Sequence, residues 1–287
     1  MFKILVTGAK GFIGEKASSY FREAGYEVIS PSHTDLDVTD SVAVSKFFAE
    51  NTVDFIFHTA ARGGFREEMQ TAETVENNLR MFENLVLHRT KVKLILCLGS
   101  GDEFDHKYPI MNVGEERLGS IVPSSYYGLS KYVIANRIIS LKENIVNFRL
   151  FNVFGEKETS YRFIKAAVSN YIDKKPITIF NNIWMDFFYI DDLFKIGEYY
   201  FKNWGNKTLP HDLNICYDKK HMLADIVKII NSLDDYEVPV SSGLYSFSAG
   251  RDYTGDGALL KNLSIKIGGL EEGIRKMYNF LNEEKIT

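Results

Sequence analysis

Ser124-Ser125-Tyr126-Tyr127-Gly128-Leu129-Ser130-Lys131 places a phenol and an ammonium four residues apart. If the stretch enters a helix after Pro123, Tyr127 and Lys131 fall one turn apart on the same face. A free phenol has a pKa of about 10, and a fixed ammonium beside it is expected to lower that value. Tyr127 can then exchange a proton with a substrate hydroxyl or carbonyl. Tyr-x-x-x-Lys alone is most often a pair of helix-surface neighbours, so its weight has to come from the elements that position it.

The first of these is a short apolar strand over residues 2–6, running into Thr7-Gly8-Ala9-Lys10-Gly11-Phe12-Ile13-Gly14 and an amphipathic helix that stops near Gly25. Strand, glycine loop and helix in that order suit a dinucleotide. Gly8 permits the tight turn, Gly11 lets backbone approach a pyrophosphate, and Gly14 lets helix and strand pack closely, while the helix start offers unpaired N–H groups. The glycines are spaced three and three, unlike the two and three of the commonest fingerprint. At the end of the second strand, residues 26–30, no carboxylate stands ready for a ribose 2′-hydroxyl; Ser30-Pro31-Ser32-His33 is there instead. That absence leans towards NADP over NAD, although no arginine nearby in sequence welcomes the phosphate.

Asp40 or Ser41 caps the next helix, and residues 54–61 form a strand ending in the small Ala60 and Ala61, over which a cofactor can pass. His58 reads as a packed strand residue. A helix over residues 71–88, a strand over 93–98 ending at Gly99-Ser100-Gly101-Asp102-Glu103-Phe104, the helix of Tyr127 and a strand over 145–151 continue the alternation. Repeated βα units predict an α/β doubly wound parallel sheet of Rossmann type, with ligands beyond the carboxyl ends of the strands. Residues 1–155, with part of 178–215 returning, are expected to form the dinucleotide-binding domain. Residues 156–287 are expected to form mostly a smaller α+β substrate lobe. There, short strands are expected at 177–180, 187–190 and 213–217, Asp191 or Asp192 caps a helix to 202, 241–257 is turn-rich, and a helix covers 270–282.

The 287 residues, 45% hydrophobic with 6 Pro, suffice for a substantial core. A formal charge of −4 offers no basic stripe for nucleic acid. No apolar run approaches a membrane span, and residues 1–6 run straight into the glycine loop without a signal-peptide pattern, so the chain reads as cytoplasmic. Cys97 and Cys216 lie far apart in apolar stretches and read as reduced core residues, with no metal site.

Six stretches in one order resemble the extended short-chain dehydrogenase/reductase family of nucleotide-sugar epimerases, dehydratases and reductases. They are the glycine loop, His58-Thr59-Ala60-Ala61, Gly99-Ser100, Tyr127-Gly128-Leu129-Ser130-Lys131, Arg149-Leu150-Phe151-Asn152-Val153-Phe154-Gly155, and Asp186-Phe187-Phe188-Tyr189-Ile190-Asp191-Asp192. The resemblance implies that Tyr127 is the acid/base at the sugar, that Lys131 tunes it and binds the nicotinamide ribose, and that Ser100 hydrogen-bonds the reacting oxygen. It places Gly8, Gly11, Phe12, Ile13 and Gly14 at the pyrophosphate, Asp37 and Val38 near the adenine, and Ala60 and Ala61 along the cofactor. Asn152 and Arg251 are placed at a nucleotide-diphosphate sugar. A homodimer through the tyrosine helix is also implied, and Tyr132, Val133, Ile134 and Ile138 read equally as its face or as simple core.

Ala60-Ala61-Arg62-Gly63-Gly64 and Leu98-Gly99-Ser100 are most similar to the fucose-synthase-like reductases of 4-keto-6-deoxy sugars, which points to NAD(P)H-dependent reduction in surface polysaccharide synthesis. Those enzymes carry a cysteine where Asp102 stands and a histidine near Tyr161 or Arg162, the pair that performs their epimerase step, and neither stands here. An arginine usual just before the Asp186 position, where it meets diphosphate, is replaced by Met185, which shifts nucleotide binding towards Arg251. Asp102-Glu103 also resembles part of the dehydratase Thr-Asp-Glu triplet, in either of two registers. The preferred one keeps Ser100 at the hydroxyl position and makes Asp102 a further catalytic candidate. A solvated loop pair is the plainer reading of the two carboxylates. A redox-neutral epimerase or 4,6-dehydratase retaining NAD is the alternative function.

Overall fold

The computed structural model describes residues 1–64, 68–242 and 250–286. Its elements in chain order are β1 (Lys3–Thr7), α1 (Phe12–Glu23), β2 (Glu27–Ile29), α2 (Ser41–Glu50), β3 (Phe55–His58), α3 (Ala72–Val86), β4 (Leu94–Ser100), β5 (Ile110–Val113), α4 (Tyr126–Leu141) and β6 (Ile145–Leu150). They continue with β7 (Val153–Phe154), α5 (Phe163–Ile172), β8 (Ile177–Ile179), β9 (Phe188–Tyr189), α6 (Ile190–Lys202), β10 (Asp212–Ile215), α7 (Leu223–Asn231), β11 (Val240–Ser242), β12 (Tyr253–Gly255), α8 (Ala258–Asn262) and α9 (Leu270–Ile286). The described chain divides into two compact units. One comprises Met1–Lys107, Gly114–Leu150 and Phe194–Asn214, and the other Tyr108–Val113, Phe151–Leu193 and Ile215–Thr287.

The first unit is built on a sheet ordered β10-β6-β4-β3-β1-β2, in which β2, β1, β3, β4 and β6 pair in parallel. From β1 the chain winds to β2 on one side and then crosses to β3 on the other. The switch point therefore falls between β1 and β3, where this architecture opens its ligand crevice. Continuous burial of β3 and β4 explains their unbroken apolar sequence, since helices cover both sheet faces. One face carries Val44, Phe48, Phe82, Leu85, Ile134 and Ile138 in a single cluster with Leu5, Ile56 and Ile95. On the other, Phe21 packs against Phe57, Phe194 and Phe201.

Local signals act where the sequence places them. Asp40 Oδ1 accepts the N–H groups of Val42 and Ala43 and starts α2, and Gly25 ends α1 with a φ of +88°. Cys97 and Cys216 are both buried, and neither is in a disulfide.

In the second unit β5 pairs with β12, β7 with β9, and β8 with β11. Two expectations need correction there. Asp191 and Asp192 do not cap α6, because the helix already begins at Ile190; Asp192 instead accepts the N–H groups of Gly268 and Gly269, both at 2.8 Å. The stretch expected to be turn-rich contains the strand β12, held by β5, a partner too distant in sequence to be foreseen; its residues 243–249 lie outside the described ones. Among the described residues no helix is long and apolar enough to cross a membrane.

Candidate functional site

β4 delivers Ser100 to the end of a fully buried strand, and the chain then enters a 3-10 turn, Gly101–Phe104. The Asp102 N–H donates to Ser100 Oγ at 3.2 Å, and the Ser100 N–H donates to Glu103 Oε1 at 2.8 Å. α4 opens with Ser125, whose Oγ accepts the Gly128 N–H at 3.0 Å. One turn along that helix Lys131 Nζ lies 5.6 Å from the Tyr127 ring centre and donates to the Leu98 carbonyl at 2.7 Å. Ser100, Asp102, Tyr127 and Lys131 are thereby gathered in the first unit.

The electrostatics differ from the expectation of a lowered tyrosine. Burial pushes the Tyr127 phenol above its ordinary value, the Asp102 carboxylate adds to the rise, and a hydrogen bond with Ser100 opposes it. Burial also holds the Lys131 ammonium below its ordinary value, against the attraction of Glu103. Desolvation outweighs the phenol–ammonium pairing, and Tyr127 is kept as a neutral phenol, a proton donor.

Several residues around the tyrosine carry no signal in the sequence motif. Gln70 accepts the Tyr127 N–H at 3.1 Å and donates to the Gly63 carbonyl at 3.2 Å. A Cβ on Gly64 would stand 3.8 Å from the phenol oxygen, so the glycine pair runs beside the ring. Asn78 donates to Ser130 Oγ at 2.8 Å and takes the Arg62 N–H at 2.8 Å, tying that loop to α4. Only the fold shows that residues this far apart in sequence meet.

Glu103 is not a solvated carboxylate. It is 0% exposed and meets the Arg149 Nε at 2.6 Å, where the sequence favours a loop pair facing water. Its neighbour Asp102 stays 22% exposed, with the His106 Nδ1 at 3.4 Å from its Oδ1. The two carboxylates face different surroundings and cannot share one proton-transfer task.

The glycine loop fits a dinucleotide pyrophosphate. Gly8 has a φ of +68°, and a Cβ there would sit 2.7 Å from the Ala60 nitrogen. A Cβ on Gly14 would sit 2.2 Å from the Gly8 carbonyl oxygen. Both positions demand glycine. Gly11 caps α1 with no side-chain hydrogen bond, which leaves the first N–H groups of the helix, at Phe12 and Ile13, for a ligand anion. Asp37 Oδ1 is engaged by the Thr39 N–H at 2.9 Å and its hydroxyl at 2.7 Å, Val38 is buried, and Ala61 is exposed. His58 is a buried strand residue whose Nδ1 lies 2.7 Å from Thr7 Oγ1, and burial pulls its imidazole down to about 3. An arginine does reach the end of β2: Arg22, from the last turn of α1, donates to Ser30 Oγ at 2.5 Å. It escapes sequence reading because it precedes the strand.

Asn152 and Arg251 belong to the second unit. Asn152 donates to the Asp186 carbonyl at 3.0 Å, and Arg251 is exposed. Asp186, where the motif expects an arginine just before it, is buried and held by Lys220 at 3.0 Å and the Gly255 N–H at 2.8 Å. Of the four residues expected to face a dimer partner, Ile134 and Ile138 are core residues, whereas Val133 is 37% exposed.

A family model described as the NAD dependent epimerase/dehydratase family matches residues 4–216. The GDP-L-colitose synthase of Yersinia pseudotuberculosis is 22% identical over 317 aligned positions, spanning 99% of each chain. Among solved structures, a GDP-D-glycero-L-gluco-heptose synthase of Campylobacter jejuni, determined in the presence of NADPH, superposes with a TM-score of 0.81 at 17% identity, covering 98% of each chain. A GDP-mannoheptose C4 reductase of Campylobacter jejuni with NADP bound gives 0.76 at 20% identity, again covering 98% of each. At these identities the structural likeness carries the fold.

Proposed function

The chain belongs to the NAD dependent epimerase/dehydratase family, as an NAD(P)-dependent enzyme of the extended short-chain dehydrogenase/reductase type, and from that premise we propose that it reduces a nucleotide-activated 4-keto-deoxy sugar. The arrangement that supports this reading is the half-buried Tyr127 phenol, hydrogen-bonded by Ser100, with Lys131 Nζ 5.6 Å from its ring centre. A reductase needs a proton donor at the oxygen that becomes an alkoxide, and a tyrosine held protonated is that donor.

A nicotinamide dinucleotide supplies the hydride when bound. Gly8, Gly11 and Gly14 with the start of α1 hold its pyrophosphate, and Lys131 its ribose. Ser100 orients the substrate carbonyl, Tyr127 gives up its phenolic proton as negative charge develops there, and the Lys131 ammonium stabilises the tyrosinate left behind. We assign Asn152 and Arg251 to the nucleotide-sugar and the second unit to substrate binding, with NADP preferred over NAD. The setting is cytoplasmic surface-polysaccharide synthesis by a homodimer.

Incubation with 4-keto nucleotide-sugars tests this: NADPH or NADH is consumed in proportion to product, and Tyr127→Phe lowers the turnover by roughly 10²–10⁴. A redox-neutral epimerase or dehydratase is the second reading, favoured by Asp102 and its neighbour His106. A retained, non-exchanging NAD(H) with no net oxidation would select it over the reductase.

A further inference from the structure

Glu103 does something that neither a structural ion pair nor a proton donor explains. Its Oε1 takes the backbone N–H of Ser100 at 2.8 Å, and its Oε2 takes the Arg149 Nε at 2.6 Å. Arg149 is in turn fixed on all sides. Its Nη2 donates to both Asp212 oxygens at 2.8 and 2.7 Å, its Nη1 to Asn214 Oδ1 at 3.0 Å, and the guanidinium lies 4.8 Å from the Phe104 ring centre. Glu103, Arg149 and Asn214 are 0% exposed, and all these residues lie in the first unit. β4 itself makes room: a Cβ on Gly99 would fall 2.4 Å from Glu103 Oε1. The glycine before Ser100 thus leaves the space that the carboxylate fills.

A buried ion pair of this kind gains little stability over apolar residues of equal volume, because both charges lose their hydration. What apolar residues cannot supply is an acceptor for the Ser100 N–H at the end of the strand. We propose that Glu103, clamped by Arg149, is the positioning residue that fixes Ser100, and through Ser100 the Tyr127 phenol, in the geometry for proton transfer. This rests on the reading of Ser100 and Tyr127 as the proton-transfer pair.

Two variants isolate the hydrogen bond from the charge. Glu103→Gln with Arg149→Met keeps an acceptor for the Ser100 N–H, whereas Glu103→Met with Arg149→Met removes it. Both also carry Asp212→Asn, because Asp212 would otherwise lose its Arg149 partner, so neither leaves an unpaired buried charge that would prevent folding. The expected result is a kcat about tenfold lower in the Met–Met protein than in the Gln–Met protein with KM unchanged, the factor one hydrogen bond supplies. A readout without substrate accompanies it: the 13Cζ resonance of Tyr127 at pH 8, assigned with Tyr127→Phe. It stays at the wild-type position in Gln–Met and moves towards that of a water-bonded phenol in Met–Met. Equal kcat values or coincident Tyr127 resonances in the two variants overturn the proposal. If the resonances separate while no 4-keto sugar is reduced, the positioning stands and the substrate reading fails.

Discussion

A Cβ on Gly128 would lie 2.7 Å from the carbonyl oxygen of Asp102, so the turn after β4 and the first turn of α4 meet with no room for a methyl group. This contact sets Ser100 and Asp102 against Tyr127. Gly128→Ala forces the two segments apart, because the obstruction is backbone rather than a flexible side-chain end, and overpacking of this kind costs about 1–3 kcal/mol. We expect a lower urea midpoint together with a loss of activity of at least about tenfold, since displacing a catalytic group by a fraction of an ångström is costly. Unchanged turnover would mean that the turn yields without moving the tyrosine.

Tyr127→Phe removes the proposed proton donor while leaving the glycine loop intact. Turnover should fall by roughly 10²–10⁴, the usual contribution of a positioned acid. Calorimetric affinity for the dinucleotide should stay within about threefold, because the proposed pyrophosphate site is the glycine cradle and the start of α1, which the substitution does not touch. A phenylalanine variant that retains turnover would remove Tyr127 from the chemistry.

Asp102 raises the Tyr127 phenol through its charge, second only to burial. Asp102→Asn removes that charge and lowers the tyrosine value. A reductase uses the protonated phenol and loses activity as pH rises through it, so the alkaline limb of the kcat profile should move to lower pH. Movement in the opposite direction, or none, would separate Asp102 from the tyrosine electrostatically.

At the end of β2, Arg22 donates to Ser30 Oγ at 2.5 Å, and no carboxylate occupies position 30. A carboxylate there would repel a 2′-phosphate and pair with a 2′-hydroxyl. Ser30→Asp should therefore weaken NADP binding by at least about tenfold and leave NAD binding equal or tighter, read by titration of each dinucleotide. Equal losses for both would show that the position contacts neither ribose.

The sheet and the residues on its strand ends are legible in the chain because each rests on a local pattern: a buried apolar run, a glycine spacing, a Tyr and Lys one turn apart. What escapes is long-range. Arg149 reads as part of a motif, yet its partners Glu103 and Asp212 come from other strand ends, 46 and 63 residues away. Gln70 reaches Tyr127 across 57 residues. The tyrosine's electrostatics could not be read because spacing reports the ammonium nearby but says nothing of the desolvation that dominates. The pairing of β5 with β12 is hidden for the same reason, each strand being too short to announce a partner.

Glu158, in the second unit, gives a stability prediction independent of activity. It is 3% exposed, and neither carboxylate oxygen has a hydrogen-bond partner among the described residues, although Arg162 Nε stands 3.1 Å from Oε2. Burial pushes its carboxyl up to about 7, against the opposing charge of Arg162. Near pH 4 the group is largely protonated in folded and unfolded chains alike. Between the unfolded value of about 4.3 and the folded value only the unfolded chain ionises, so stability falls as pH rises through that window and levels off above it. Glu158→Gln stays neutral throughout and should flatten this dependence. It should match the parent near pH 4 and exceed it above pH 7 by up to about 3 kcal/mol, the free-energy equivalent of such a shift. Denaturant melts of both proteins across that range check the sign: a variant less stable than the parent at pH 8 would mean that the Arg162 ion pair outweighs the desolvation of the carboxylate.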